Sequence, residues 1–293
     1  MAGRIKCPPH FPHPLINNYN TMTQSTERVL LEVSNQIAYV TLNRPEKHNG
    51  LDEAMIKGLV STAKQIRKDR SIRCVILKGE GPSFCAGLDF ASVAKNPMMM
   101  PKFFIKLPWS KDNMFQRVAH IWRDLPIPVI AAVHGSCFGG GMQIILGADY
   151  RIATPDANLS ILEMKWGLIP DMSGMVTLSR LTRVDIAQEL TMTGRFFSGE
   201  EGAEYGIISK VSADPLKEAE ELAKVICSKS PDAIAATKYL FKKTWKKDTR
   251  GALLWERLTQ LRLLGRKNQK IAMANGLAKG KDPKPFHDRT SFK

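Results

Sequence analysis

Features that would place the protein in or across a membrane are missing from its sequence. No run of 18 consecutive apolar residues occurs among the 293, whereas a helix needs about 20 such residues to cross a bilayer. Residues 1–27 contain no apolar h-region of the kind that a secretory signal requires. We therefore expect neither a membrane-spanning segment nor a secretory signal.

Cysteine is scarce, and its spacing does not suit metal binding. The five cysteines form no CxxC pair: Cys7, Cys74, Cys85, Cys137 and Cys227. Structural zinc sites and disulfide-rich secreted domains depend on regular, closely spaced cysteines. The sequence therefore predicts no metal site and favours a reducing compartment, which we take to be the cytoplasm.

Acidic residues are fewer than basic residues, above all near the C-terminus. The chain has 43 lysines and arginines against 28 acidic residues, a net charge of +15. Residues 236–293 alone hold 16 lysines and arginines and only 4 acidic residues. Such a region can be a solvated helical face, or it can bind nucleic acid, a membrane surface or a phosphorylated small molecule. No nucleic-acid motif accompanies the charge, so we expect no nucleic-acid partner.

The apolar pattern divides the chain into three parts. Residues 1–27 contain four prolines and three asparagines without a sustained apolar period, and we interpret them as a flexible extension whose first 21 residues are dispensable. Residues 28–212 alternate short β-branched runs with helical periods, which is typical of an α/β core with a parallel sheet. Residues 213–293 show helical periods only.

Two details of the core bear on a ligand site. Residues 28–45 predict a β-hairpin with its turn at Ser34–Asn35. Residues 95–112 include the run NPMMMPKFF and lack a clear period. Because methionine and phenylalanine adapt well to apolar ligands, we expect this segment to be a mobile excursion over an apolar ligand surface.

Two glycine-containing turns each follow a predicted strand. They are SFCAGLDF at residues 83–90 and HGSCFGGGMQ at residues 134–143. Glycine lets backbone N–H groups approach a ligand closely, and two N–H groups aimed at one point form an oxyanion hole. Tight packing of a helix on a strand is the alternative explanation for three consecutive glycines.

Four segments together resemble the crotonase superfamily, the enoyl-CoA hydratase/isomerase fold. They are FCAGLDF, HGSCFGGGMQIILGADYRIA, LSILEMKWGLIPDMSG and ELTMTGRFFSGEEGAEYGIISKV, and the resemblance extends over roughly residues 28–290. It implies an α/β spiral core of ββα units with a helical C-terminal trimerisation region. It also implies a homotrimer or dimer of trimers, an acyl-CoA substrate, no cofactor beyond the coenzyme A of that substrate, and a place in fatty-acid metabolism. The C-terminal cations then have a partner in the phosphates of coenzyme A.

The resemblance gives the glycine turns their roles. The backbone N–H groups of Leu88 and Gly140 would hold the thioester carbonyl oxygen while it becomes an enolate. One donor of this kind contributes roughly 3 to 4 kcal/mol to the transition state. The adjoining substrate-binding positions are Ala86, Gly87, Gly139 and Gln143.

The acidic positions of the pattern distinguish the reactions of this family. Hydratases usually carry one glutamate at the position of Gln143 and another at Glu163, because adding water needs two carboxylates. Glutamine orients water but cannot accept its proton, so Gln143 counts against hydration. Asp171, eight residues after Glu163, is similar to an aspartate of the dienoyl-CoA isomerases, in which two carboxylates move a proton along the acyl chain. Asp171 has an alternative role as N-cap of the helix that follows.

The leading hypothesis is therefore an isomerase of unsaturated acyl-CoA in which Glu163 and Asp171 are catalytic. A Δ3-to-Δ2 enoyl-CoA isomerase that needs Glu163 alone, a hydratase that tolerates Gln143, and a non-catalytic acyl-CoA- or RNA-binding relative are the alternatives. Asp149 is expected to be structural, buried and hydrogen-bonded. Four further side chains are expected to pack rather than to contact ligand: Met142, Trp166, Phe196 and Phe197.

Overall fold

A seven-stranded sheet runs through the part of the chain that the computed structural model describes, which is residues 24–26, 28–278 and 282–291. The extension predicted for residues 1–27 lies almost wholly outside these residues. The strands are β1 (Gln24–Thr26), β2 (Val29–Ser34), β3 (Ile37–Leu42), β4 (Cys74–Gly79), β5 (Val129–Val133), β6 (Ser136–Phe138), β7 (Tyr150–Ala153), β8 (Asn158–Ser160) and β9 (Lys210–Val211).

Twelve helices are present in the described residues, and the longest of them is α1, with 16 residues. They are α1 (Glu53–Lys68), α2 (Phe90–Lys95), α3 (Met99–Phe104), α4 (Met114–Asp124), α5 (Gly140–Leu146), α6 (Gly174–Leu178), α7 (Val184–Thr193), α8 (Gly199–Glu204), α9 (Pro215–Cys227), α10 (Pro231–Thr244), α11 (Thr249–Leu261) and α12 (Lys267–Leu277). Two short 3-10 helices span Pro45–Lys47 and Leu162–Trp166. None of these helices has the length and apolar character to span a bilayer.

The strand order of the large sheet is β1-β2-β3-β4-β5-β7-β9, and β6 pairs with β8 in a separate two-stranded sheet. The strands from β3 onward pair in parallel, whereas β1, β2 and β3 pair antiparallel. The predicted parallel α/β core is therefore confirmed. Because parallel strands all end at the same edge, the turns that follow β4 and β5 meet there, and this edge carries the site.

The predicted hairpin is formed by β2 and β3, with its turn one residue later than expected. Ser34 pairs with Ile37, so the turn residues are Asn35 and Gln36, with φ of 50° and 67°. Two left-handed residues in a two-residue turn match the right-handed twist of the strands.

Both faces of the large sheet are covered. A large apolar core that includes Leu59 of α1 and Trp122 of α4 fills one face. On the other face, β4, β5 and β7 contribute side chains such as Ile76 to a smaller core, which Ala219 and Ala223 of α9 complete. Helix α9 is the first helix of the region that was predicted to be purely helical, and it therefore helps to cover the sheet.

Several elements were not predicted individually from the sequence. Among them are the short helix α3 in the segment at residues 95–112 and α12, which follows α11 near the C-terminus. After α12 the chain returns to the core, where the backbone N–H of Arg289 donates to the carbonyl of Arg70 at 3.3 Å. Asp149 is structural as predicted: it accepts from Val129 N–H at 2.8 Å and from Lys238 Nζ at 2.6 Å.

Candidate active site

The two glycine turns are joined by backbone hydrogen bonds at the carboxyl edge of the sheet. Cys85 N–H donates to the carbonyl of Ser136 at 3.1 Å, and Phe138 N–H donates to the carbonyl of Cys85 at 3.0 Å. Cys85 and Cys137 lie side by side as an isolated bridge, and both are fully buried. The two turns therefore have a fixed position relative to each other.

The backbone at Gly87 lies against the N–H of Gly140. A Cβ added at Gly87 would be 2.9 Å from the carbonyl oxygen of Phe138 and 3.5 Å from the nitrogen of Gly140, and φ at Gly87 is +88°. Both features require glycine at this position. In the described part of the chain, the N–H groups of Leu88 and Gly140 have no acceptor among the backbone hydrogen bonds. Two free donors are thus available where the resemblance expects an oxyanion hole.

The three consecutive glycines serve both packing and ligand access. A Cβ at Gly141 would be 2.5 Å from the carbonyl oxygen of Cys85, so this glycine is needed for close packing of α5. Gly139 has φ of +48°, and a Cβ there would be 3.4 Å from Oε1 of Glu163. The two explanations offered for the glycines are therefore compatible.

A cavity of about 290 Å³ opens in front of these donors. Its wall includes seven residues that were predicted for the site: Ala86, Gly87, Leu88, Gly139, Gly140, Glu163 and Asp171. Two carboxyl groups and two unpaired backbone donors thus face one largely apolar space, an arrangement suited to moving protons next to a developing negative charge.

Glu163 lies in the 3-10 helix Leu162–Trp166 with its two oxygens in different environments. Oε1 accepts a hydrogen bond from Gln143 Nε2 at 2.6 Å. Oε2 is buried and has no partner among the described residues. Burial raises the pKa of Glu163, and the nearby negative charge of Asp171 raises it further, while the hydrogen bond from Gln143 opposes the rise. A raised pKa is common for carboxyls that exchange protons in catalysis.

Asp171 lies in the cavity wall and does not cap a helix. Helix α6 begins at Gly174 with Ser173 as its N-cap residue. The N–H of Gly174 donates to Gln143 Oε1 at 3.0 Å, so the donor that an N-cap aspartate would take is already occupied. Burial raises the pKa of Asp171.

Gln143, which was expected to bind substrate, is not part of the cavity wall. Its side chain is buried, with 1% exposure, and both ends of its amide are hydrogen-bonded to protein. The position that holds an acid in hydratases is occupied here by a group that contacts Glu163 instead of the cavity.

Large apolar side chains, several of them aromatic, line the rest of the cavity. They include Phe90, Met100, Phe104 and Trp166, and the ring centroids of Phe90 and Trp166 lie 4.4 Å apart. Trp166, which was expected to pack, does pack against Phe90, and it also lines the cavity. Side chains three residues apart in a 3-10 helix lie on the same side, so the spacing between Glu163 and Trp166 was the signal that would have placed the indole at the cavity. Met100 and Phe104 belong to the segment that was expected to cover an apolar surface.

Among the described residues, neither basic side chains nor a metal site belong to this cavity. None of the described lining residues is a lysine or arginine. Within the basic C-terminal region, Lys238 and Lys242 are engaged by Asp149 and Asp124. Among the described residues, no group of three or more histidines, cysteines or acids is placed to hold a metal ion.

Comparisons with known proteins agree with the geometry. The family model for enoyl-CoA hydratase/isomerase matches residues 32–280. The (E)-benzylidenesuccinyl-CoA hydratase of Thauera aromatica is 34% identical over 72% of this chain and 80% of its own length. The mitochondrial Δ(3,5)-Δ(2,4)-dienoyl-CoA isomerase of Rattus norvegicus is also 34% identical, over 69% of this chain, which spans 64% of the rat enzyme. The solved structure of an enoyl-CoA hydratase from Bacillus anthracis superposes with a TM-score of 0.78 at 28% identity, over 85% of this chain and 95% of that one.

Proposed function

The chain belongs to the enoyl-CoA hydratase/isomerase family, and we propose that within this family it moves the double bonds of a dienoyl-CoA by proton transfer. The observation that carries the proposal is that Glu163 and Asp171 line one cavity together with Leu88 and Gly140. A second acid in the wall is what distinguishes the long-range double-bond shift from the Δ3-to-Δ2 shift, which one carboxylate carries alone.

The proposed reaction converts a 3,5-dienoyl thioester into the 2,4-isomer. A carboxylate removes a proton from C2, and the electron pair of that C–H bond delocalises into the thioester carbonyl and the diene. The oxygen of the resulting extended enolate is held by the N–H groups of Leu88 and Gly140, which act where the negative charge develops. A proton delivered to C6 then restores the neutral thioester. Nothing is added or lost, so the reaction needs no cofactor beyond the coenzyme A that the substrate carries.

We assign the proton abstraction to Glu163 and the delivery to Asp171. Glu163 lies next to the oxyanion-hole backbone, since a Cβ at Gly139 would be only 3.4 Å from its Oε1. That position suits the carbon adjacent to the thioester. Asp171 belongs to another part of the same wall, and burial favours its protonated form, which is the form that delivers a proton.

Hydration is the less favoured reaction because the chain offers no second carboxylate at the position of Gln143. The amide of Gln143 is buried and bonded to Glu163 and Gly174. Activating a water molecule needs an acceptor for its proton, and an amide is not one at neutral pH.

We further propose that the protein acts as a homotrimer or dimer of trimers. Helix α11 and the residues after it expose a set of apolar side chains that a lone subunit leaves in water: Leu253, Leu254, Leu258, Leu261 and Leu264. Exposed apolar surface of this extent is typical of an interface. Light scattering at micromolar concentration tests the assembly, and a monomeric mass contradicts it.

The reaction is tested by ultraviolet assays of the protein with 3,5-dienoyl-CoA, 3-enoyl-CoA and 2-enoyl-CoA. Glu163→Gln should lose every proton transfer, by about 10² to 10⁴ in kcat. Asp171→Asn should lose the dienoyl shift to a similar extent but keep the Δ3-to-Δ2 shift, which one carboxylate carries alone. Glu200→Gln, on the surface of α8, is the control.

Each outcome of these assays identifies one reaction. A dienoyl shift that survives Asp171→Asn contradicts the two-acid mechanism and makes the Δ3-to-Δ2 isomerase the better assignment. Efficient hydration of 2-enoyl-CoA without isomerisation contradicts both isomerase assignments.

A further inference from the structure

The amide of Gln143 connects the two segments that carry the catalytic acids. Its Nε2 donates to Glu163 Oε1 at 2.6 Å, and its Oε1 accepts from Gly174 N–H at 3.0 Å. Because the side chain is buried and both ends are bonded, the amide is held in one orientation. We call this pair of hydrogen bonds the Gln143 bridge.

On one side, the bridge makes the two oxygens of Glu163 unequal. Oε1 is occupied by the amide, whereas Oε2 is buried without a partner among the described residues. A buried carboxylate oxygen without a hydrogen bond is costly to maintain, so it is the oxygen with the greater tendency to take a proton. The bridge therefore selects Oε2 as the oxygen that exchanges protons.

On the other side, the bridge holds the turn that follows Asp171. Gly174 is three residues after Asp171 and opens α6. Between them, Ser173 has φ of +69°, a left-handed conformation that a residue with a Cβ adopts only when its surroundings hold it there. The Gly174 N–H bond to Gln143 is a contact that holds this turn.

A glutamate at position 143 could not make the same bridge. Its carboxylate could accept from Gly174 N–H, but it has no N–H to donate to Glu163. Two carboxylates at a 2.6 Å contact would have to share a proton, which would leave Glu163 less available as a base.

We propose that Gln143 is a positioning residue that orients Glu163 through Oε1 and fixes the turn carrying Asp171, so that one neutral side chain sets the relative placement of both acids. The proposal rests on the proposed function for its effect on catalysis. The bridge itself is a property of the protein without substrate, so it can be tested separately.

The test compares Gln143→Met, which keeps the length of the side chain but removes both hydrogen bonds, with Gln143→Glu, which keeps only the acceptor. Gln188→Met, on the exposed side of α7, is the matched control. The first measurement is the titration of Glu163 without substrate, by infrared or ¹³C NMR of its carboxyl, assigned with Glu163→Gln.

Loss of the amide donor removes a bond that favours the ionised carboxylate. Asp171 is the charged group that acts on Glu163 in this part of the wall, and it is unchanged in both variants. The pKa of Glu163 should therefore rise by about one to two units in Gln143→Met, because a hydrogen bond to a charged group is of that strength. It should rise at least as far in Gln143→Glu and stay unchanged in Gln188→Met.

The second measurement is the kinetics with the dienoyl substrate. Displacement of a catalytic group by about 1 Å costs on the order of 10²-fold, so kcat should fall by roughly 10- to 100-fold in Gln143→Met. KM should change little, because Gln143 is outside the cavity wall, and the acidic limb of kcat/KM should move to higher pH together with the titration.

The outcomes separate this inference from the proposed function. If the Glu163 titration of folded Gln143→Met and Gln143→Glu matches that of the unchanged protein, the bridge does not control Glu163 and the inference is overturned. If the unchanged protein isomerises none of the substrates, the proposed function fails, while the titration without substrate still decides on the bridge.

Discussion

The two walls of the cavity are built in different ways. The inner wall, formed by Leu88, Gly139, Gly140, Glu163 and Asp171, consists of backbone and short polar groups placed by the sheet edge and its hydrogen bonds. The outer wall, formed by Phe90, Met100, Phe104, Trp166 and Ile169, consists of large apolar side chains that remain partly in water. Trp166 is 51% exposed and Ile169 is 70% exposed, whereas the core side chains behind the inner wall are buried.

This difference separates chemistry from substrate choice. Groups that stabilise a transition state must be held before the substrate arrives, because reorganising them during the reaction would cost energy. Apolar side chains that bind an acyl group need only exclude water, and they tolerate exchange of one residue for another. The inner wall should therefore respond to substitution in kcat, and the outer wall in KM.

The largest expected effect is that of Gly87→Ala in the inner wall. The new Cβ would be 2.9 Å from the carbonyl oxygen of Phe138 and would move the neighbouring N–H of Leu88. Since one oxyanion-hole donor is worth about 10² to 10³ in rate, kcat should fall by that factor while the acyl-CoA still binds. Steady-state kinetics and binding of a non-reactive alkyl-CoA measure the two quantities.

Gly265→Ala is the matched control for that change. Gly265 is also left-handed, with φ of +73°, but an added Cβ would meet nothing within 4 Å. Both variants should lose about 1 to 2 kcal/mol of stability to backbone strain, and Gly87→Ala should lose more because its new Cβ also meets the carbonyl oxygen of Phe138. Denaturant unfolding measures both losses. If Gly265→Ala loses activity to the same extent as Gly87→Ala, the effect is one of folding and the inner wall is not special.

A smaller effect is expected in the pH dependence of kcat/KM, which reports on Glu163 of the inner wall. Glu163 must be ionised to act as a base, so kcat/KM should fall tenfold per unit as the pH drops below its pKa. Burial and the charge of Asp171 raise that pKa, so the acidic limb should lie above the ordinary glutamate range of about 4.3.

Removing the charge of Asp171 should move this limb in a defined direction. The two acids repel each other in the state in which both are ionised. In Asp171→Asn that repulsion is gone, so the pKa of Glu163 falls. The acidic limb for a 3-enoyl-CoA, which needs Glu163 alone, should therefore shift to lower pH. A limb that stays in place, or shifts upward, would show that the two acids do not interact.

The features that sequence could predict are those in which residue type alone decides the geometry. Gly87 and Gly139 have positive φ angles. Such positions can be predicted from the sequence because residues with a Cβ rarely adopt this conformation. Gln143 shows the limit: its identity reveals that it is no base, but its partners lie 20 and 31 residues away in the chain. Only the fold brings the Gln143 amide between Glu163 and Gly174.

The outer wall was harder to predict because apolar side chains serve equally in a core and in a ligand cavity. The methionine- and phenylalanine-rich segment was correctly expected over an apolar surface, as Met100 and Phe104 line the cavity. Trp166 was assigned to packing because nothing in its residue type marks it as accessible.

The smallest expected effect is that of shortening an outer-wall side chain. Trp166→Ala removes an indole that contacts Phe90 and the cavity. Burying a large apolar side chain against a ligand contributes about 1.5 to 3 kcal/mol at most. Because Trp166 is half exposed, KM should rise by only about 3- to 10-fold, with kcat within threefold of the unchanged enzyme.

Trp109→Ala is the matched control, since Trp109 is 82% exposed and lies outside the cavity wall. It should change neither KM nor kcat. A fall in kcat for Trp166→Ala as large as that for Gly87→Ala would mean that the indole also holds Glu163 three residues before it, and the division of labour between the two walls would not hold.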